Sequence, residues 1–375
     1  MRAGLDVFTV DVSPKTTWIF VRLEKDGLAG FGEATLNGRT GDVLAAVPAA
    51  AQAASEAPLG LGGKLAAVTA RVEGVVGRVV ASALEQAALD LEGRRTGRPV
   101  HALLSGAHRT LVPVYANINR GTLSRTPEEF AERAALAEGD GYGAVKLAPF
   151  DGVTPAPDGP DRDALVEAGF ARIAAVAAAV RGRVAIQVDC HSRFRRDELG
   201  RLLARVAELG VSWLEEPTAE VEEAHAALAA LREAGGRLGV RLVGAENVAG
   251  LAAILPFLAR ACYDVVMPDV LLAGGPAEVV RIGHLAAGLG TAVSLHNPSG
   301  PVMDAHSLHA AAALPQFHLL ERQFRESGLY DAVVARRDFG LDAGRLPVPQ
   351  SAGVGLDVDV AHDAVLLGAS LTVDL

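Results

Sequence analysis

Seven polar residues of this 375-residue chain recur at near-regular intervals: Lys146, Asp189, Glu215, Glu246, Asp269, His296 and Glu321. The gaps are 43, 26, 31, 23, 27 and 25 residues, each close to one strand-plus-helix unit. Every member ends or directly follows a short apolar run, so each of seven successive strands carries a polar group at its end. One charged strand end is unremarkable, but solubility does not explain seven in a row. Asp189, Glu215 and Glu246 come from three adjacent strands and offer hard oxygen donors with no cysteine or histidine among them. That donor set favours Mg²⁺, or Mn²⁺ in its place, over zinc. The plainer alternative pairs each carboxylate with a barrel arginine, which accounts for one far more easily than for three. Glu216 neighbours Glu215 in WLEEPT. Alternation along a strand turns its side chain away, so it is expected to support the ligands rather than join them.

The elements that must carry this ring follow from periodicity. Apolar strand candidates lie at 112–117, 143–148, 184–189, 211–215, 240–245, 264–268, 291–295 and 318–320, with helical patterns between them. The first of these helices opens on the capping box Thr126-Pro-Glu-Glu129. Eight strands alternating with helices over roughly 210 residues specify an α/β fold, a (β/α)7β TIM-like barrel, whose active site gathers at the C-terminal strand ends. Residues 1–105 read as an α+β capping domain, with a strand at 27–36 and a helix at 81–97 closed by Gly97 and Pro99. The barrel spans 106–335, and 336–375 is expected to return to the cap. A polar insertion at 150–163 follows the second strand and either covers the site or stays a solvated loop.

Composition narrows the class. Half of the residues are hydrophobic and the net charge is −10, which disfavours nucleic acid and anionic membrane as partners. No apolar run reaches the roughly 20 residues of a membrane span, and the N-terminus alternates like a strand rather than a signal peptide. Two cysteines, Cys190 and Cys262, make no disulfide framework; a reducing, cytoplasmic setting is expected. Only four lysines, Lys15, Lys25, Lys64 and Lys146, stand among 35 basic residues. Lys146 is therefore a candidate for a role that needs a compact ammonium. LGLGGK (59–64) is no phosphate loop, since Leu65 follows the lysine; a mobile cap loop is expected there. The turn at Lys15, Thr16, Thr17 and Trp18 is another stretch that could touch substrate. His306 and His309 share a helix face without a third ligand and read as packing residues.

The segments IQVDCHSRF (186–194), WLEEPT (213–218), GAEN (244–247), MPDVLLAGG (267–275) and SLHNPSGPV (294–302) resemble the mandelate racemase branch of the enolase superfamily. GFGEATL and the 81–105 helix extend the resemblance into the cap. The resemblance implies Mg²⁺ on Asp189, Glu215 and Glu246, where the substrate carboxylate binds. It matches Asp269 and His296 to an Asp–His dyad whose imidazole is the base, Glu321 to a partner of the substrate carboxylate, and Lys146 to an electrostatic partner of that carboxylate. The Asp fixes the imidazole tautomer, and the metal absorbs enediolate charge.

One departure is informative. The racemases carry K-x-K on the second strand, but this chain reads Lys146-Leu147-Ala148, so a two-base racemase would lack a base. His191 stands two positions beyond Asp189, where alternation predicts the same face. It reads either as a packed supporting histidine or as a general acid. DCHSR and HNPSGPV are similar to the galactonate-type, acid-sugar dehydratases, in which this histidine protonates a departing β-hydroxyl. The expected function is a hydro-lyase of carbohydrate acid catabolism: α-proton abstraction from a 2,3-dihydroxy or 3-hydroxy acid, then loss of the β-hydroxyl to a 2-keto acid. The alternatives are a one-base epimerase or cycloisomerase, a hydroxyproline-type dehydratase, and a non-catalytic binding protein. The expected partners are a small carboxylate substrate and further copies of the same chain.

Overall fold

The computed structural model describes residues 2–58, 60–156 and 159–374. The chain begins with β1 (Arg2–Ser13), β2 (Thr16–Lys25) and β3 (Leu28–Glu33), then α1 (Thr40–Glu56), α2 (Leu61–Arg71), α3 (Gly74–Thr96) and α4 (Val100–Leu104). The three strands form an antiparallel sheet, and α3 lies across it with Val76, Val79, Val80, Ala83, Leu84 and Ala87 buried. The two glycines of GFGEATL make that packing possible. A Cβ on Gly32 would lie 2.1 Å from the Ala83 carbonyl oxygen, and one on Gly30 would lie 2.2 Å from that of Ala87. Helix α3 ends as expected on Gly97 in the left-handed conformation, φ 69°. The expected mobile loop at 59–64 is instead the opening of α2, apart from Leu59, which lies outside the described residues. Lys64 donates to the Ala54, Ala57 and Asp374 carbonyls, satisfying chain ends that a helix leaves unpaired.

The barrel follows: β4 (Leu111–Asn117), α5 (Pro127–Gly139), β5 (Ala144–Leu147), α6 (Pro160–Val180), β6 (Ala185–Asp189), α7 (Leu199–Glu208), β7 (Val211–Glu215), α8 (His225–Leu238), β8 (Arg241–Gly244), α9 (Gly250–Ala259), β9 (Val265–Val266), α10 (Val270–Ala273), α11 (Pro276–Gly288), β10 (Ala292–Leu295), α12 (Pro301–Ala313) and β11 (Phe317–Gln323). Strands β4 to β11 pair in parallel in chain order, and β11 closes on β4 through Leu320↔Val114 to Gln323↔Asn117. Thr126 caps α5 by accepting from Glu129 N at 3.2 Å, a contact worth about 1 kcal/mol. The Glu129 carboxylate collects the N–H groups of Leu123, Ser124 and Arg125 instead of that of Thr126, one step outside the standard box. No full helix follows β11; the chain continues into α13 (Leu329–Ala332), β12 (Val334–Arg337), β13 (Arg345–Pro347), β14 (Leu356–Val358) and β15 (Leu366–Asp374).

The tail divides its attachments. β15 joins the cap sheet beside β1, and Arg94 of α3 reaches Asp357 at 2.5 Å. β13, however, pairs with Leu111–Pro113 at the start of β4, a stretch that precedes the β11 pairing and would otherwise expose an open edge. The insertion at 150–163 is not simply solvated: Phe150 and Val153 are buried, and its end is the first turn of α6, where Arg162 forks onto Glu198 at 2.7 and 2.8 Å. Pro157 and Asp158 of this insertion lie outside the described residues.

Cap and barrel meet on α12, every residue of which is buried. Glu33, at the end of β3, accepts from Gly300 N at 2.6 Å and Met303 N at 2.9 Å, so a cap carboxylate seats the N-terminus of a barrel helix. His306 bonds the Phe31 carbonyl, and His309 lies between His101 N and the Val354 carbonyl, which is the packing role expected of both. Cys190 and Cys262 are free and buried. Among the described residues no helix is long and apolar enough to cross a membrane.

Candidate active site

The polar ring assembles at the C-terminal strand ends. Asp189 ends β6 and Glu215 ends β7, side by side in register. Glu246 follows β8 after Ala245, whose φ of 70° turns the chain inward. These three carboxylates are buried, and one oxygen from each lies within 4.8 Å of the others; among the described residues they are the one such group of metal-ligating type. Glu215 Oε1 takes Lys146 Nζ at 2.8 Å and Oε2 takes Trp213 Nε1 at 2.8 Å. Glu246 Oε2 is buried with no hydrogen-bond partner. No arginine pairs with any member of the trio among the described residues, so the plainer reading of these carboxylates fails. Lys146, their one strong cation, also reaches Glu321 at 3.3 Å. Burial, opposed by Lys146 and helped by the neighbouring carboxylates, pushes the Glu215 carboxyl well above its ordinary value. Three converging carboxylates, one oxygen left unbonded and too little positive charge fit a divalent cation.

Glu216 behaves as expected. It stays outside the trio, its carboxylate taking the Ser192 hydroxyl at 2.7 Å, and burial raises its pKa to about 8. Four non-glycine residues beside the trio sit at positive φ: His191 at 48°, Ser192 at 57°, Glu216 at 40° and Ala245 at 70°. Left-handed backbone costs such residues about 1–2 kcal/mol each, and its clustering here marks a site where geometry outranks stability.

His191 reaches the trio by a different route from the one alternation suggested. β6 has ended, and the left-handed turn folds the imidazole back so that Nε2 lies 2.7 Å from Asp189 Oδ2, while His191 N donates to Asp189 Oδ1 at 3.0 Å. Its side chain is 44% exposed, so it is neither a core residue nor remote. The Asp189 charge holds the imidazole above its ordinary pKa. In return, although burial works against ionisation, His191 keeps Asp189 below its own ordinary value.

Asp269 and His296 form the expected dyad. Asp269 caps α10, its Oδ1 taking Leu271 N at 2.6 Å and Leu272 N at 3.2 Å, which leaves Oδ2 for His296 Nδ1 at 2.8 Å. Nε2 is thereby aimed at the trio, 3.5 Å from Glu246 Oε2. Burial lowers the His296 pKa, but Glu246 and the Asp269 hydrogen bond outweigh it and raise the value to about 10. A histidine whose folded pKa exceeds its unfolded one adds stability below the unfolded value and loses it as pH rises through the folded one. In chelator, the wild type is therefore expected to exceed His296→Asn in stability below about pH 6.5 and to lose that margin by about pH 10. Urea unfolding of both proteins across that range checks it, and a margin that grows with pH would reverse the sign.

Glu321 lies inside β11, completely buried, with Asn117 Nδ2 and Lys146 on Oε1 and Asn297 N at 3.0 Å on Oε2. Burial opposes ionisation, yet Lys146 leads the contacts that bring its pKa down to about 2. Asn117 was missed in the sequence although it obeys the same rule as the others, being the polar residue that ends β4. Asn297 follows His296 directly and bonds Asp304 and Glu321. Trp213, buried in β7, also donates to Glu215.

Residues 129–362 match the family described as enolase C-terminal domain-like, and residues 7–105 match the mandelate racemase/muconate lactonizing enzyme N-terminal domain. The chain belongs to the mandelate racemase/muconate lactonizing enzyme family of the enolase superfamily. A D-xylonate dehydratase of Haloferax volcanii is 28% identical over 375 residues, covering 96% of this chain and 87% of that one. A D-galactonate dehydratase of Ralstonia nicotianae is 27% identical, covering 92% and 89%. A D-gluconate dehydratase of Thermoproteus tenax is 29% identical over 74% of this chain, and the match spans only 54% of its own length. The crystal structure of an enolase superfamily member from Salmonella Typhimurium superposes with a TM-score of 0.83 at 21% identity over the full length of both chains, a likeness of fold.

Proposed function

We propose that this protein is a Mg²⁺-dependent hydro-lyase that converts an aldonic acid into the 2-keto-3-deoxy acid. The observation that carries this reading is the placement of two histidines on two different members of one carboxylate trio, His296 at Glu246 and His191 at Asp189. The dehydratase names of the relatives described above support the same class. A divalent cation on Asp189, Glu215 and Glu246, when bound, supplies positive charge for the substrate carboxylate and offsets the Glu246 field, bringing His296 down toward a working range. Neutral His296, held in one tautomer by Asp269, takes the α-proton through Nε2. His191, kept charged by Asp189 and open to the cleft, gives its proton to the β-hydroxyl, which leaves as water as the Cα–Cβ double bond forms. The resulting enol takes up a proton at carbon to become the ketone. Lys146 and Glu321 share one ion pair at the floor and fix the charge that faces the substrate carboxylate. With alanine at 148, no lysine base stands opposite His296, so net racemisation is not expected.

D-gluconate, D-xylonate and D-galactonate with Mg²⁺ should each be assayed for 2-keto acid. Formation from at least one supports the reading, whereas α-proton exchange with no keto acid from any aldonate would move the protein to the epimerases. The metal has its own test. Mg²⁺ at about a hundred times its dissociation constant should stabilise the wild type by about 2.7 kcal/mol. Glu246→Gln should abolish that increment. An intact increment in Glu246→Gln would refute the assignment.

A further inference from the structure

TIM barrels fill their interior with layers of bulky side chains, but the lowest layer of this one is small. Pro113, Ala144 and Ala185 line the N-terminal mouth, at the opposite end from the carboxylate trio, and a cavity of about 520 Å³ opens there. Arg241 and Arg345 stand at its wall. Most arginines in this acidic chain are matched with carboxylates, but among the described residues neither of these has an acidic partner within ion-pairing distance. The side-chain contact of Arg241 is His318 at 2.8 Å. Nearby Arg109 hydrogen-bonds the Ala311 and Pro315 carbonyls and lies over the Phe317 ring; of the acids at this end, Asp264 is bonded to Leu242 N and faces Arg232 at 3.5 Å, and Asp342 meets Arg345 through backbone hydrogen bonds. Deeper in the same cavity, Gln187 is 2% exposed and its Oε1 has no hydrogen-bond donor. Arginines without carboxylates ask for an oxyanion, and a buried amide oxygen asks for an O–H.

We infer that the N-terminal mouth of the barrel binds a small oxyanion that still carries a hydroxyl, hydrogen phosphate being the simplest, with Arg241 and Arg345 on its charge and Gln187 Oε1 on its proton. The ceiling of this site is the support of the metal site. Gln187 and Trp213 precede Asp189 and Glu215 by two positions on the same strands, on the same face. Trp213 Nε1 donates to Glu215 at 2.8 Å, and His318 stacks on its indole at 5.6 Å and 20°. Occupancy is thus placed to alter the environment of one of the two tryptophans of the chain.

The test is a fluorescence titration of the Mg²⁺-loaded protein with sodium phosphate at constant ionic strength, repeated with sulfate, which has no proton to give. Phosphate should saturate one site with a dissociation constant near or below about 1 mM, and sulfate should bind about tenfold more weakly. Arg345→Ala, an exposed change remote from the catalytic groups, should weaken phosphate about tenfold or more and leave turnover without phosphate unchanged. Gln187→Met should erase the preference for phosphate over sulfate. No saturable signal in the wild type, or one that Arg345→Ala and Arg241→Ala leave intact, would overturn the inference, since phosphate at the carboxylate trio would not depend on either arginine.

Discussion

His296→Asn is expected to stop exchange of the substrate α-proton with deuterated solvent, lowering it by about 10²–10⁴-fold, the usual worth of a positioned base. The geometry leaves that base few substitutes. Lys146 is completely buried and shared between Glu215 and Glu321, so its nitrogen is committed to holding charge. His296 alone presents a ring nitrogen to Glu246 with its other nitrogen tied to a carboxylate. Asp269→Asn should slow exchange less, because it loosens the imidazole without removing it. The stabilisation by Mg²⁺ should survive in both variants. Exchange at the wild-type rate in His296→Asn, with that stabilisation intact, would place the base elsewhere.

The second expectation separates elimination from proton removal. In His191→Asn, keto acid formation should fall by about 10²–10⁴-fold while His296 still exchanges the α-proton. Recovered substrate should then carry deuterium although no product accumulates. Because His191 also pairs with Asp189, metal stabilisation must be measured in the same variant. If exchange and elimination fall together with weakened metal binding, His191 only orients a ligand. If keto acid forms at the wild-type rate, it is not the acid, and an unassisted hydroxyl would be leaving.

What the sequence made legible follows from which forces act locally. Asp189, Glu215, Asp269 and His296 could be read because a strand end followed by a polar residue is a short-range pattern, and seven repeats of it leave few folds open. Glu246 was readable as a carboxylate of the ring but not as a residue two places past its strand, since the sequence gives no sign of the left-handed turn at Ala245. His191 reached the predicted place by a left-handed turn instead of by alternation, and no sequence rule foresees φ 48° at a histidine. Contacts such as Arg162–Glu198, Glu33 with the start of α12, and Trp213 with Glu215 pair residues far apart or disguised as core, and composition carries no trace of them. The 59–64 stretch looked like a loop because glycines dominate, whereas tertiary packing and the three carbonyls on Lys64 favour helix from Leu61 onward.

The pairing of β1 with β15, Arg2 opposite Asp374, has a consequence for biosynthesis. β1 leaves the ribosome long before β15 and waits for it before their sheet is complete, while β4 can close on β11 about fifty residues earlier. The nascent chain therefore acquires its barrel first and holds a three-stranded cap sheet, with an open β1 edge, until β15 emerges. Slow emergence of β15 would leave that edge free to pair with another chain, so aggregation during overexpression should respond to the rate at which the β15 codons are read more than to changes within the barrel.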